Sequence, residues 1–259
     1  MNSSDFRAEA RKKLEGKWGK VARITLAYVA LFFVLGFIEG LLEKVSTIQS
    51  IWSIAVAVIE VPLAFGLIIS LFKVFNSEDV KAFDFFMLGF NNFAKSWKIS
   101  LRIVLKIIVP IILIVVSIFL MSFGLVAGSA SALLSSSSSG GLFIFVVIGL
   151  ILYIVALVWA IMVSYYYSLA YVIATDKPEL DAKQAVEESK RLMTGNRGKL
   201  FCLQFSFIGW AILAALTFGI GYLWLLPYLQ FSMFAFYKKL SGNDTVEVET
   251  NVENDGPIQ

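Results

Sequence analysis

The sequence predicts an all-α polytopic membrane bundle of six spans. They form three pseudo-repeated hairpins, each preceded by a cytoplasmic amphipathic helix. Three observations predict this. Of the 259 residues, 58% are hydrophobic and 16% charged, with a mean hydropathy of +0.79, against about 45–50% and about 25% in soluble domains. The excess falls in blocks, and a bilayer core takes about 20 apolar residues of helix. All but one of the 22 Lys and Arg lie before the first block, between alternate blocks, after the last, or within a few residues of those block ends, as cytoplasmic connections do. Finally, "LEGKWGK" at Leu14–Lys20 and "MTGNRGK" at Met193–Lys199 share the pattern Gly-x-x-Gly-Lys, each just before an apolar run.

The first span is Val21–Leu42. The charged, helix-patterned stretch before it carries an N-cap signal at Ser4. It lacks the pattern of a removed signal peptide, so the first span is expected to insert as an anchor. The second span is Ile51–Phe75, and the third runs from about Ile103 to Val126. The fourth, Leu142–Ala174, is longer than one crossing needs. It is expected to protrude, or to continue along the interface with the tyrosines of "SYYYSLAY", an aromatic belt. The last block, Leu200–Tyr237, is too long for one helix. Its two glycines in "TFGIGY", Thr217–Tyr222, mark a break that divides it into two spans. The uncharged "SASALLSSSSSGG" between spans three and four reads as a flexible external loop. Only Lys44 falls on the outer side.

Each Gly-x-x-Gly-Lys follows an amphipathic helix. In "ELDAKQAVEESKRLMTG" one face carries Ala182, Ala185, Val186, Leu192 and Met193. Asp176, Glu179 and Asp181 precede this helix as charge complementing its dipole. Gly16 and Gly195 fit left-handed C-terminal positions. Gly19 and Gly198 then turn the chain, and Lys20 and Lys199 meet the headgroups. A degenerate third copy, "AFDFFMLGFNNFAKSWK", takes Gly89 as the stop and Lys95 as the interfacial lysine, with longer spacing and Ala94 for the second glycine. Pro62 precedes Lys73 by eleven residues, and Pro227 precedes Lys238 by eleven. The chain therefore reads as one six-span domain, residues 1–240, with repeats at about 5–75, 80–175 and 179–240. Residues 241–259 form a disordered acidic tail.

"ARKKLEGKWGK", "YSLAYVIATDKPELDAKQAVEESKRLMTGNRGKLF", "QFSFIGW" and "LTFGIGYLWLLPYLQFSMFAFYKKL" resemble a bacterial family of integral membrane proteins, domain of unknown function 975. Membrane domains fused to glycerophosphodiester phosphodiesterases are more distantly similar. The resemblance implies a multi-pass protein of the bacterial plasma membrane and supplies no catalytic residues.

Glu60 is the sharpest candidate site. It lies near the middle of span two, where a carboxylate is costly unless neutral, paired or hydrated. Pro62 beside it frees a carbonyl that could share an ion or water with it. Such a group serves either as a proton or cation site or as a protonated link between helices. Glu39 reads as interfacial. Gly36 and Gly40, like Gly124 and Gly128, form small-xxx-small pairs for close helix packing. With no His and one Cys, Cys202, imidazole chemistry and intrachain disulfides are excluded. No P-loop, nucleophile elbow, zinc or dinucleotide motif is present, so no catalytic residue, metal or cofactor is expected, nor a nucleic-acid partner. Three functions remain open. The first is a non-enzymatic accessory or scaffolding protein whose partners are membrane lipids or other membrane proteins. The second is a transporter of a small solute or ion using Glu60, and the third an enzyme on lipid-linked substrates at the cytoplasmic interface. Both termini are expected in the cytoplasm.

Overall fold

The computed structural model describes residues 3–42, 45–133 and 139–254, without the side chains of 46, 130–142 and 243–254. Lys44, the centre of the serine-rich loop and residues 255–259 of the acidic tail lie outside the described residues. Every element among the described residues is helical: α1 (Ser3–Leu14), α2 (Trp18–Leu41), α3 (Ser46–Phe75), α4 (Asp84–Asn91), α5 (Phe93–Leu133), α6 (Ser139–Tyr167), α7 (Ala170–Asp176), α8 (Ala182–Met193), α9 (Arg197–Phe205), α10 (Ile208–Leu216) and α11 (Tyr222–Asn254).

Among the described residues, five segments are long and apolar enough to cross a membrane: Trp18–Leu41, Thr47–Phe75, Phe93–Ser129, Phe143–Asp176 and Arg197–Leu216. The sixth expected span is not among them. α11 sets Pro227, Gln230, Lys238 and Lys239 among its aromatic residues, and Tyr, Trp, Pro and Gln dilute its hydropathy. α11 continues to Asn254, into the segment read as an acidic tail.

The chain forms two compact units, Leu101–Ser168 and the remainder. The first is a helical hairpin of α6 against most of α5. A Cβ at Gly149 would meet the Met121 side chain at 2.6 Å and the Ser117 carbonyl oxygen at 2.9 Å, so the backbones touch there. The Phe123 and Phe145 rings pack edge to face at 5.7 Å.

In the other unit, the C-terminal part of α3 packs against both α7 and α11. Asp176, the last residue of α7, joins α7 to α11 by accepting hydrogen bonds from Tyr237 Oη at 2.8 Å and Lys238 Nζ at 2.6 Å. It therefore does not serve the α8 dipole. Asp181 does: it caps α8 in a capping box with Gln184. Phe72, Phe75, Phe231 and Phe234 form the aromatic centre, with ring separations of 5.1 Å to 6.2 Å.

An amphipathic helix covers each of these three: α4 on α3, α8 on α7 and α1 on α11. The three align without a gap on Lys17, Asn92 and Asn196. Leu14, Gly89 and Met193 precede those residues by three, and Ala10, Phe85 and Ser189 by seven; all six are buried. This corrects the longer spacing expected of the middle copy. Gly89 is not a stop but an internal residue of α4, pressed against α3. A Cβ at Gly89 would meet the Pro62 carbonyl carbon at 2.9 Å, and one at Gly66 would meet the Gly89 amide nitrogen at 2.7 Å.

Two expected continuous helices are broken. The fourth block ends at Tyr167, because the Leu169 amide leaves the helical ladder and donates to Ser189 Oγ on α8 at 3.2 Å. The fifth breaks between α9 and α10, where Phe207 N bonds Gln204 O at 3.0 Å and tightens the turn. Ser4, expected as an N-cap, lies inside α1.

Candidate functional site: an aromatic groove

The turn at 217–221 shapes the last hairpin. Phe218 and Gly219 take φ of 52° and 87°. Thr217 Oγ1 donates to Ala214 O at 2.7 Å and accepts from Gly221 N at 2.8 Å. A Cβ on Gly221 would lie 2.7 Å from Ala214 Cα, so α10 and α11 touch at the turn. Away from it they flank a cavity of about 410 Å³, within the size range of small-molecule sites.

Three indoles wall the cavity: Trp18, the first residue of α2, Trp210 on α10 and Trp224 on α11. Leu213, Leu225 and the Tyr228 ring add apolar surface. Tyr228 is held between Trp18 and Phe207, edge to face at 6.1 Å and 5.0 Å. The one charged lining residue is Arg11 of α1. Arg7 stands one turn earlier. Its Nη1 donates to Ser206 O at 3.4 Å, while its backbone carbonyl accepts from Tyr228 Oη at 3.4 Å. Its Nε is buried without an acceptor. Neither arginine pairs with a carboxylate among the described residues. The arrangement is an apolar slot with one cation, Arg11, in its wall, suited to an amphiphile.

The residues singled out in the sequence lie elsewhere. Glu60 is exposed on α3 and has no hydrogen-bond partner among the described residues. The carbonyl that Pro62 frees four residues back, Val58 O, accepts from Trp97 Nε1 at 3.1 Å. The indole thus takes the position expected for an ion or water shared with Glu60. Glu39 accepts from Ser53 Oγ at 2.6 Å and links α2 to α3. Gly36, Gly40 and Gly128 face open space; the close packing expected at such pairs occurs at Gly66, Gly89 and Gly149 instead. Pro227 lies inside α11, next to Tyr228.

Gly16 and Gly195 take φ of 71° and 81°, after α1 and α8. Gly19 and Gly198 fall in the first turns of α2 and α9. Lys17 Nζ donates to Val74 O at 3.1 Å and Ser77 Oγ at 2.9 Å, at the end of α3. Its partial burial lowers its affinity for a proton. Lys20 pairs with Asp79 and holds that carboxyl below the usual range. Lys95 Nζ donates to Ala174 O at 3.3 Å and Pro178 O at 2.8 Å, at the end of α7. Lys199 donates to Asn196 Oδ1 at 2.9 Å. Lys17, Lys20 and Lys95 thus hold helix ends together, whereas Lys199 bonds the cap of its own helix. Among the described residues no group of His, Cys, Asp and Glu could hold a metal ion.

Sequence reasoning missed the groove. The three tryptophans come from the first and last hairpins, and nothing in their spacing brings them together. The family described as "Protein of unknown function (DUF975)" matches residues 1–244. No curated protein and no solved structure matches the chain.

Proposed function

The chain belongs to this family of unknown function, and from that premise we propose a non-enzymatic accessory or scaffolding protein acting through lipid or protein contacts. Its seat is the bacterial plasma membrane, which it crosses six times with both termini in the cytoplasm. Its three hairpins are repeats of one unit. The observation that carries the role is the groove of about 410 Å³, walled by Trp18, Trp210 and Trp224. Indole and leucine surfaces suit an acyl chain. The shared register of α1, α4 and α8 supports the repeats, and the segregation of basic residues supports the orientation.

Native mass spectrometry of the detergent-purified protein tests the role. At least one phospholipid is expected to stay bound per chain. Leu213→Trp, a substitution at an exposed wall position that fills the groove, is expected to release it without unfolding the protein. A wild-type protein that carries no lipid after mild purification would sink the proposal.

A further inference from the structure

We infer that the groove takes an anionic phospholipid, its phosphate held by Arg11 with Arg7 adding charge one turn away, and an acyl chain laid along the tryptophans. This rests on the proposed lipid contact and adds the chemistry of the ligand. Residues four apart on a helix share a face, so Arg7 and Arg11 present two guanidiniums to one region. A guanidinium does not shed its proton at any ordinary pH. Both are therefore permanent cations, and no carboxylate of the described residues answers either of them.

Arginine binds phosphate through paired, charge-assisted hydrogen bonds. Two permanent cations that no carboxylate of the described residues answers also repel the ammonium that a zwitterionic headgroup carries beside its phosphate. The polar and apolar parts of the site are continuous. Tyr228 donates its hydroxyl hydrogen to the Arg7 carbonyl and lends its ring to the groove beside Trp18. A free phosphate would leave the apolar walls empty, and a neutral lipid would leave the arginines unanswered; an anionic phospholipid meets both.

The test is competition between phosphatidylglycerol and phosphatidylcholine of the same chain lengths, equimolar in mixed micelles and read by native mass spectrometry. Wild type is expected to retain phosphatidylglycerol with a preference of about tenfold or more, as one good charged contact gives. Arg11→Gln, at an exposed position, is expected to reduce that preference several-fold. Arg7→Gln with Arg11→Gln should abolish it while some lipid still binds. Lys12→Gln with Lys13→Gln should leave it in place. Should the double arginine variant unfold, Arg11→Gln alone decides. Equal retention of the two lipids by wild type overturns the inference and leaves the lipid-contact proposal standing. So does a preference that survives loss of both arginines, one lost equally with the lysines, or displacement by inorganic phosphate. Retention of neither lipid by wild type ends both.

Discussion

One methyl group distinguishes two classes of glycine in this chain. At Gly66 it would enter the α4 backbone, against the Phe85 carbonyl and the Gly89 amide, and no side chain there can swing away. At Gly36 it would meet nothing within 4 Å. Gly66→Ala is therefore expected to cost about 1–3 kcal/mol through overpacking. Gly36→Ala is expected to be neutral or slightly stabilising, by about the 1 kcal/mol that separates Ala from Gly in a helix. Thermal unfolding of the two purified variants beside wild type checks this. Equal melting temperatures for both variants would refute the close α3–α4 crossing. The two classes differ in what the sequence could disclose. The left-handed φ of Gly16 and Gly195 follows from local rules, since a glycine ending an amphipathic pattern favours that conformation. The roles of Gly66 and Gly89 depend on which helix lies opposite. Glu60 was legible as costly, but its surroundings were not. Only the fold reveals that the carbonyl freed by Pro62 is already taken by Trp97.

α8 is the element in which sequence and structure agree most closely. Its five expected inward residues are all buried, and Asp181 caps its start. Its far end is tied by Glu188, which accepts from Arg191 Nε at 2.9 Å and Nη2 at 3.0 Å and lies 3.9 Å from Lys177. The Arg191 hydrogen bonds hold the Glu188 carboxyl below its ordinary 4.5. A carboxylate whose folded pKa lies below its unfolded value stabilises the fold above the unfolded value, and that contribution fades as pH falls through the folded one. The difference in melting temperature between wild type and Glu188→Gln should therefore be largest near neutral pH and vanish once both states are protonated. The stability behind that difference is expected to be at most about 1 kcal/mol, because Arg191 is exposed to solvent. A difference that grows on acidification would show that the pair does not stabilise α8. The breaks after α6 and α9 escaped the sequence for an opposite reason. Each is made by a hydrogen bond that leaves the helical ladder, at Leu169 to a distant serine and at Phe207 to a carbonyl three residues back. Both lie within apolar blocks that read as uninterrupted.

At the scale of the whole molecule, the membrane class was plain in the composition, while the number of crossings turns on α11. Five segments qualify by length and hydropathy, and five crossings would set the two termini on opposite sides. The basic residues argue for six: a five-span chain would leave Lys238 and Lys239 outside, against the positive-inside bias. α11 has a physical reason to be less apolar than a lipid-exposed span. Its Phe231, Phe234 and Phe236 are buried in the protein, so a large part of its surface is never offered to lipid. Tyr237 and Lys238 spend their polarity on Asp176. A helix shielded in this way does not need the uniform apolarity that a lipid-exposed one does. Reporter fusions decide the matter. A fluorescent protein that matures only in the cytoplasm and a phosphatase active only outside it would be joined separately to each terminus. Six crossings predict fluorescence and no phosphatase activity at both ends. Phosphatase activity at the C-terminus alone would establish five, remove Lys238 and Lys239 from the cytoplasmic set, and leave α11 crossing no membrane. In that case the third hairpin would differ in kind from the first two, and the threefold repeat would fall with the sixth span.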